Sequence, residues 1–366
     1  MNLPKSNKLE IKYLSRLFDN MSECYKIFWF KSIVDFVIKD KLELTFEEII
    51  DNMIADSWYM VNEYHLNLGP KDTLESLVKD AYLISKLSSS EKKKNVIDNI
   101  YSLNDSDINR RKYTLTMNVP FRLQAPFMAD LKGSSWSRNL VSLARSINEH
   151  DNLIYKFVKI DGLKSVILVD DTWAEYIKTN QEIIKGWIRY NQIKYLQKRN
   201  PGVPGIPNKI EPPQMRNLDK VKKYWKAIID VCQVKDIYGH IDMKGETISI
   251  DHFIPWSYVT HDELWNLSPT TRSINSSKSN SLPEWDKYFM PLSELQYSAY
   301  QAVHKYEKIH REFDKCLNEH VNSEDVKRKL YKDGLSKLEF TNALKEIMLP
   351  VYKAASNIGF NFWSFE

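Results

Sequence analysis

Residues 249–283 read SIDHFIPWSYVTHDELWNLSPTTRSINSSKSNSLP, and in them the adjacent Asp251 and His252 precede Asn266, Asn275 and Lys278 in the order D-H-x13-N-x8-N-x2-K. Ile248 and Ile250 alternate with polar neighbours, which predicts a strand over residues 247–252 whose Asp251 and His252 side chains leave opposite faces. Asn266 lies on or just before a second strand. Thr270 or Thr271 is the candidate N-cap of a short helix that stops before Pro283. At helical spacing Arg272, Asn275 and Lys278 or Ser279 share one face of that helix. Two strands, a loop and a short helix are therefore expected here.

Each of these residue types answers a separate need of metal-assisted phosphodiester hydrolysis. A hard divalent cation such as Mg2+ takes oxygen ligands, keeps several waters, and binds through one or two protein side chains plus phosphate oxygens. Asp251 and Asn275 offer such oxygens. An imidazole, with an unperturbed pKa of about 6.5, is suited to taking a proton from water near neutral pH, which makes His252 the candidate general base. The Asn266 amide is suited to bracing the loop over residues 255–264 through backbone groups. Arg272 and Lys278, flanking Asn275, are candidate contacts to phosphate oxygens.

These residues resemble the ββα-metal core of the HNH, or His-Me finger, endonucleases. The strings DHFIPWS and LWNL, and the N-x2-K followed by Leu-Pro, are typical of that family. The resemblance implies that Asp251 and Asn275 are metal ligands and that His252 and Asn266 complete the catalytic constellation, Asn266 by fixing the loop. It further implies an H-N-N variant with Mg2+ or Mn2+ as cofactor. Many relatives add a structural zinc held by paired C-x2-C motifs, yet Cys232 is followed by Gln233, Val234 and Lys235. The chain has only Cys24, Cys232 and Cys316, too scattered for a four-ligand cysteine site. No structural zinc is expected, and packing by Tyr224, Trp225, Ile228 and Ile229 is expected to hold the motif.

Other polar residues have plainer readings beside the functional ones. His240 and His261 read as exposed loop histidines or as extra ligands. His304, His310, Cys316 and His320 read as helix-surface positions, since no second spaced pair accompanies them. Lys92, Lys93 and Lys94 mark a wet loop or a helix start, with contact to nucleic acid as the alternative. Lys194, Lys198, Arg199, Lys209, Arg216, Lys220, Lys222, Lys223 and Lys226 stand just ahead of the motif. They are either a phosphate clamp or a solvated linker and helix face; Lys222 and Lys223 are carried forward as nucleic-acid contacts.

The 366 residues suffice for two or three domains, and 43% hydrophobic with 12% aromatic content describes a globular protein. The net charge of +4 excludes a polycationic surface, so local basic density would have to do any binding. The most apolar early run, residues 27–38, is interrupted by Lys31 and Asp35 and is too short to span a bilayer. No secretory signal is read and cysteines are few, so a cytoplasmic setting without membrane contact is expected.

Residues 9–150 read as buried helices, with Thr45 and Glu48 as a capping box and Trp29, Phe30, Trp58 and Tyr59 as core. Turns follow at Val119-Pro120-Phe121 and Ala125-Pro126-Phe127. Residues 155–158 and 165–169 predict a hairpin, and Asp170 or Asp171 caps a helix over 172–197. Prolines 201, 204, 207, 212 and 213 predict an extended connector. After the motif, helices are expected at 292–317, 326–331 and 337–355. The expected fold is α+β and mostly helical. A large helical domain with a small hairpin covers residues 1–199 and has a targeting or regulatory role, 200–216 form a linker, 217–290 the ββα-metal HNH core, and 291–366 a C-terminal helical region. The expected function is metal-dependent DNA endonuclease activity in bacterial restriction or anti-phage defence, with DNA and a protein partner or second copy as partners. The alternatives are a non-catalytic nucleic-acid-binding protein of HNH shape and an RNA-cleaving enzyme.

Overall fold

Helices that are apolar on most faces must be covered by other elements, and the first half of the chain follows that rule. The structure is a computed structural model that describes all residues except 1, 20, 71, 104, 132–135, 137–138, 212–217, 318–322 and 366. Arg216, Pro212, Pro213 and His320 therefore lie outside the described residues. The chain divides into two compact units, Met1–Pro201 with Lys209–Pro212, and Gly202–Asn208 with Pro213–Glu366.

In the first unit α1 (Tyr25–Val37) packs against α2 (Phe46–Asn62). Trp29, Phe30, Trp58 and Tyr59 are all core residues. The start of α2 is set by the capping box: the Thr45 hydroxyl accepts from Glu48 N at 3.2 Å, and the Glu48 carboxylate accepts from Thr45 N at 3.0 Å. Such a cap stabilises by about 1 kcal/mol. The hairpin forms from β2 (Tyr155–Lys159) and β3 (Val166–Val169), with Tyr155 opposite Val169. A third strand, β1 (Glu43–Thr45), adds to the other edge of β3, giving the antiparallel order β1-β3-β2. Three residues carry too little alternation to announce a strand.

The helix expected over 172–197 is two helices, Asp171–Thr179 and Gln181–Arg199, broken at Asn180. The Asn180 amide donates to Tyr176 O at 2.9 Å, a local bond that competes with helical continuation. Asp170 is the cap, accepting from Thr172 N at 3.0 Å and Trp173 N at 3.2 Å. Lys93 opens the helix Lys93–Ser102 and bonds both Asp35 and Asp56 at 2.7 Å, so this lysine serves the fold.

Lys209, expected among the basic contacts, is fully buried with its ammonium over the Tyr64 ring. It is therefore no phosphate contact. Burial lowers its pKa from 10.5 to about 7. A base whose folded pKa lies below its unfolded one loses its proton first in the native state. Its unfavourable contribution is complete below pH 7 and fades as pH rises towards 10.5. We expect Lys209→Met to shift the melting temperature more favourably at pH 6 than at pH 9; equal shifts at both would contradict the lowered pKa.

The second unit is built on α3 (Asp219–Ile229), β4 (Ser249–His252), β5 (Leu267–Thr270), α4 (Arg272–Lys278), α5 (Trp285–Lys305) and α6 (Lys337–Asn357). Its buried side chains form one cluster running from Val221 to Phe360, so the C-terminal helices and the motif share a core. Tyr224, Trp225, Ile228 and Ile229 lie within it. The helix expected over 292–317 is broken at Tyr306, where φ is −122° and ψ 114°, and resumes as Glu307–Leu317. From α5, Gln296 Nε2 donates to Leu264 O at 2.9 Å and Leu267 O at 2.8 Å, fixing the end of the β4–β5 loop. Two short parallel strands, β6 (Leu282–Pro283) and β7 (Phe362–Trp363), join the end of the motif to the last residues of the chain. No helix among the described residues is long and apolar enough to cross a membrane.

Candidate active site

β4 and β5 pair antiparallel, with Asp251 opposite Ser268 and His252 opposite Leu267. The loop between them returns through Asn266, which is fully buried. Its Oδ1 accepts from Ile254 N at 2.8 Å, its Nδ2 donates to Ile254 O at 2.8 Å, and its own carbonyl accepts from Phe253 N at 2.9 Å. One side chain thus supplies both partners that a neighbouring strand would have supplied, and the chain just after His252 is held at two points.

Helix α4 begins at Thr271, whose hydroxyl accepts from Ile274 N at 3.4 Å. Asn275 turns towards β4: its Nδ2 donates to Ser249 Oγ at 2.7 Å and Ile250 O at 3.1 Å. The amide nitrogen is the anchor, and the oxygen accepts no hydrogen bond among the described residues. Lys278 also points inward. It is 1% exposed, and its ammonium donates to Asp251 Oδ1 at 3.0 Å and to His252 O at 2.6 Å. The expectation that Lys278 contacts phosphate is therefore corrected: a lysine between serines on a short helix reads as solvated, but packing of α4 on β4 carries it into the core. Arg272, Lys222 and Lys223 are exposed.

Asp251 is 2% exposed and has a second partner, since Tyr238 donates to its Oδ2 at 2.6 Å. Burial lowers the Lys278 pKa, against which the Asp251 charge pulls upward. Burial, and after it the Asp251 charge, push the Tyr238 phenol well up, so Tyr238 is a neutral donor. Its own backbone N–H donates to Asp236 Oδ1 at 3.0 Å, while Gly239 N donates to Asp236 Oδ2 at 2.7 Å. The buried Asp236 carboxylate thereby shapes the turn that delivers Tyr238. A Cβ at Gly239 would lie 3.1 Å from Phe365 and 3.3 Å from both Asp236 Oδ2 and Ile274, which leaves little room there for a larger residue.

On the other side of the strand end His252 is 6% exposed, and its Nε2 lies 2.7 Å from Asp262 Oδ1. Asp262 and Tyr238 are site residues that the spacing pattern does not announce. Each is more than nine residues from its partner, and only the folded loop and turn bring them together. His240 is exposed in a turn at φ 56°. His261 Nδ1 stands 3.6 Å from Glu263, His304 3.5 Å from Asp333 and His310 3.5 Å from Asp314, while Cys316 is buried. Among the described residues no group of three or more His, Cys, Asp or Glu is placed to hold a metal ion.

Residues 237–284 match the protein family described as HNH endonuclease. The segment that carries Asp251, His252, Asn266 and Asn275 belongs to the HNH superfamily. No curated protein and no solved structure matches the chain.

Proposed function

We propose that this HNH domain is a metal-dependent endonuclease that hydrolyses phosphodiester bonds of DNA, with β4, β5 and α4 serving as a ββα-metal core. The observation that carries the reading is the placement of Asp251 and His252 at the end of one strand, with Asn275 docked on that strand by its nitrogen. HNH nucleases usually use divalent cations, and the donor chemistry here fits one. Among the described residues the Asn275 amide oxygen accepts no hydrogen bond, and each Asp251 oxygen accepts one and keeps lone-pair capacity. Two protein oxygens would leave the rest of the shell to water and substrate phosphate. A cation held by Asp251 and Asn275 would stabilise charge on the phosphate oxygens.

The remaining chemistry belongs to side chains. Asp262 at His252 Nε2 favours the tautomer with its proton on that nitrogen, so Nδ1 takes the proton from water. The water oxygen forms a bond to phosphorus, the bond from phosphorus to the leaving oxygen breaks, and that oxygen takes a proton from solvent. Arg272, Lys222 and Lys223 remain the proposed contacts to the nucleic-acid backbone. The first unit, distinct from the domain that would cut, is proposed to set where or when cutting occurs, in a restriction or anti-phage setting.

Purified protein incubated with supercoiled plasmid and Mg2+ tests the reading. One core with one base cuts one strand per encounter, so open-circular product should precede linear product, and a chelator should abolish both. A protein that binds DNA and never cuts it under any divalent cation would leave only the non-catalytic reading, and preference for RNA would assign the substrate differently. Asp262→Asn should keep the fold and substrate KM but lower kcat at least about 10-fold, within the range general-base catalysis supplies. Asp262→Glu should restore part of the rate. Equal loss in both variants, or a loss confined to KM, would remove Asp262 from its positioning role.

A further inference from the structure

A cavity of about 470 Å3 in the first unit lies at the start of α1 and is lined by Glu23, Tyr25, Lys26, Val119, Arg122 and Trp136, among others. Three sources of positive potential meet there. The first turn of α1 holds no acidic residue, and its N-cap Cys24 makes no side-chain capping bond; the thiol instead donates to Asp72 at 3.1 Å. The positive end of the helix dipole adds to the potential there, partly offset by the Asp72 carboxylate. Lys26 follows in that same turn. Arg122 closes the helical turn Val119–Arg122, and neither cation forms an ion pair among the described residues. They act on one another: burial, and then the charge of Arg122, lower the Lys26 pKa, with Asp19 pulling it up only weakly by comparison. Glu23 is the cavity's acid; burial, and then the charge of Asp72, raise its pKa, with Arg199 pulling it down.

The walls are not those of a simple ion site. Val119 and Ala125 contribute apolar surface, and Arg122 lies over the Trp136 ring, its guanidinium carbon 5.3 Å from the ring centroid. The indole is fixed by its N–H, which donates to Leu131 O at 2.9 Å. A guanidinium plane held on an indole is a platform on which a flat heterocycle stacks. The volume falls within the roughly 300–1,000 Å3 of small-ligand sites, which is more than a bare phosphate needs.

We propose that this cavity binds a nucleotide, with its phosphate between Lys26 and Arg122 at the α1 N-terminus and its base against Arg122, Trp136 and the apolar wall. The nucleotide arrives either free or as the 5′-phosphorylated end of a strand. Occupation would offset the charges of Lys26 and Arg122 and cover apolar surface in one step.

Titration calorimetry on the full chain in metal-free buffer tests this, with each 5′-mononucleotide, its nucleoside, inorganic phosphate, and short oligonucleotides with and without a 5′-phosphate. At least one mononucleotide, or the 5′-phosphorylated oligonucleotide, should bind at least about 10-fold more tightly than either its unphosphorylated counterpart or phosphate alone. A charge-assisted hydrogen bond is worth that much. Free nucleotide binding identifies a small-molecule ligand, whereas binding of the phosphorylated oligonucleotide alone identifies a strand end. Arg122→Ala and Lys26→Ala should each weaken binding about 10-fold or more, with Arg122→Lys intermediate, and circular dichroism should show the native helix content in all three. Absence of binding by every nucleotide and oligonucleotide overturns the proposal. So does phosphate alone binding as tightly, or unchanged affinity in folded Arg122→Ala and Lys26→Ala.

Discussion

His252→Ala should lower the single-turnover rate of strand cleavage by about 100- to 10,000-fold, the span that general-base catalysis contributes, and leave nucleic-acid affinity near that of the native protein. The side chain to be removed sits at the end of β4, where backbone pairing to Leu267 does not depend on it. Its partner Asp262 is 28% exposed in its side chain and can take up water when the imidazole is gone. The loop beyond is held separately by the Asn266 amide on Ile254. The loss should therefore be one of chemistry, with little change in melting temperature. A variant that turns over at the native rate would remove His252 from the reaction, and one that fails to bind DNA would show that the imidazole holds substrate instead.

Lys278→Ala should act on the fold first. The ammonium and the Asp251 carboxylate are 1% and 2% exposed and lie 3.0 Å apart. Removing one member of such a pair leaves a buried charge unmatched, at about 3–5 kcal/mol. His252 O loses a donor at the same time. Tyr238 still donates to Asp251, but one phenol does not replace an ammonium. We expect a large fall in melting temperature for Lys278→Ala and a substantially smaller one for the double variant Asp251→Asn with Lys278→Met, in which no buried charge remains. If Lys278→Ala melts like the native protein and is impaired only in DNA binding, the interior ion pair does not exist in solution and a phosphate contact is the better description.

The polar constellation was legible because its spacing is local: Asp251, His252, Asn266 and Asn275 fall within a single strand–loop–strand–helix stretch, and the caps and alternation that build that stretch are short-range signals. The capping box at Thr45 and Glu48 was legible for the same reason. The partners of the constellation were not. Tyr238 reaches Asp251 only because the Asp236 carboxylate closes a turn, and Asp262 reaches His252 only because the Asn266 bridge folds the loop back. Neither relation leaves a periodic trace. Lys278 shows the converse error, a residue whose charge suggested the surface and whose helix faces inward. The helix breaks at Asn180 and Tyr306 leave no mark in the sequence because hydrophobic periodicity runs on across both, whereas backbone angles decide them. The strand β1 is not legible because it has no pattern of its own and exists only as an edge added to β3.

The pairing of β6 with β7 bears on the order in which the protein is made. The motif is complete once Pro283 has been added, yet β7 begins at Phe362. Trp363 then donates from its indole to Ser277 on α4 at 3.2 Å and packs its ring against Tyr238, with centroids 5.1 Å apart. Phe365 N donates to the hydroxyl of Tyr288 at 2.8 Å. At a synthesis rate of about 5–20 residues per second, several seconds separate the last residue of the motif from the residues that brace its helix and its tyrosine. The growing chain thus carries an unbraced motif for that interval, and the braces close only after β7 has been added.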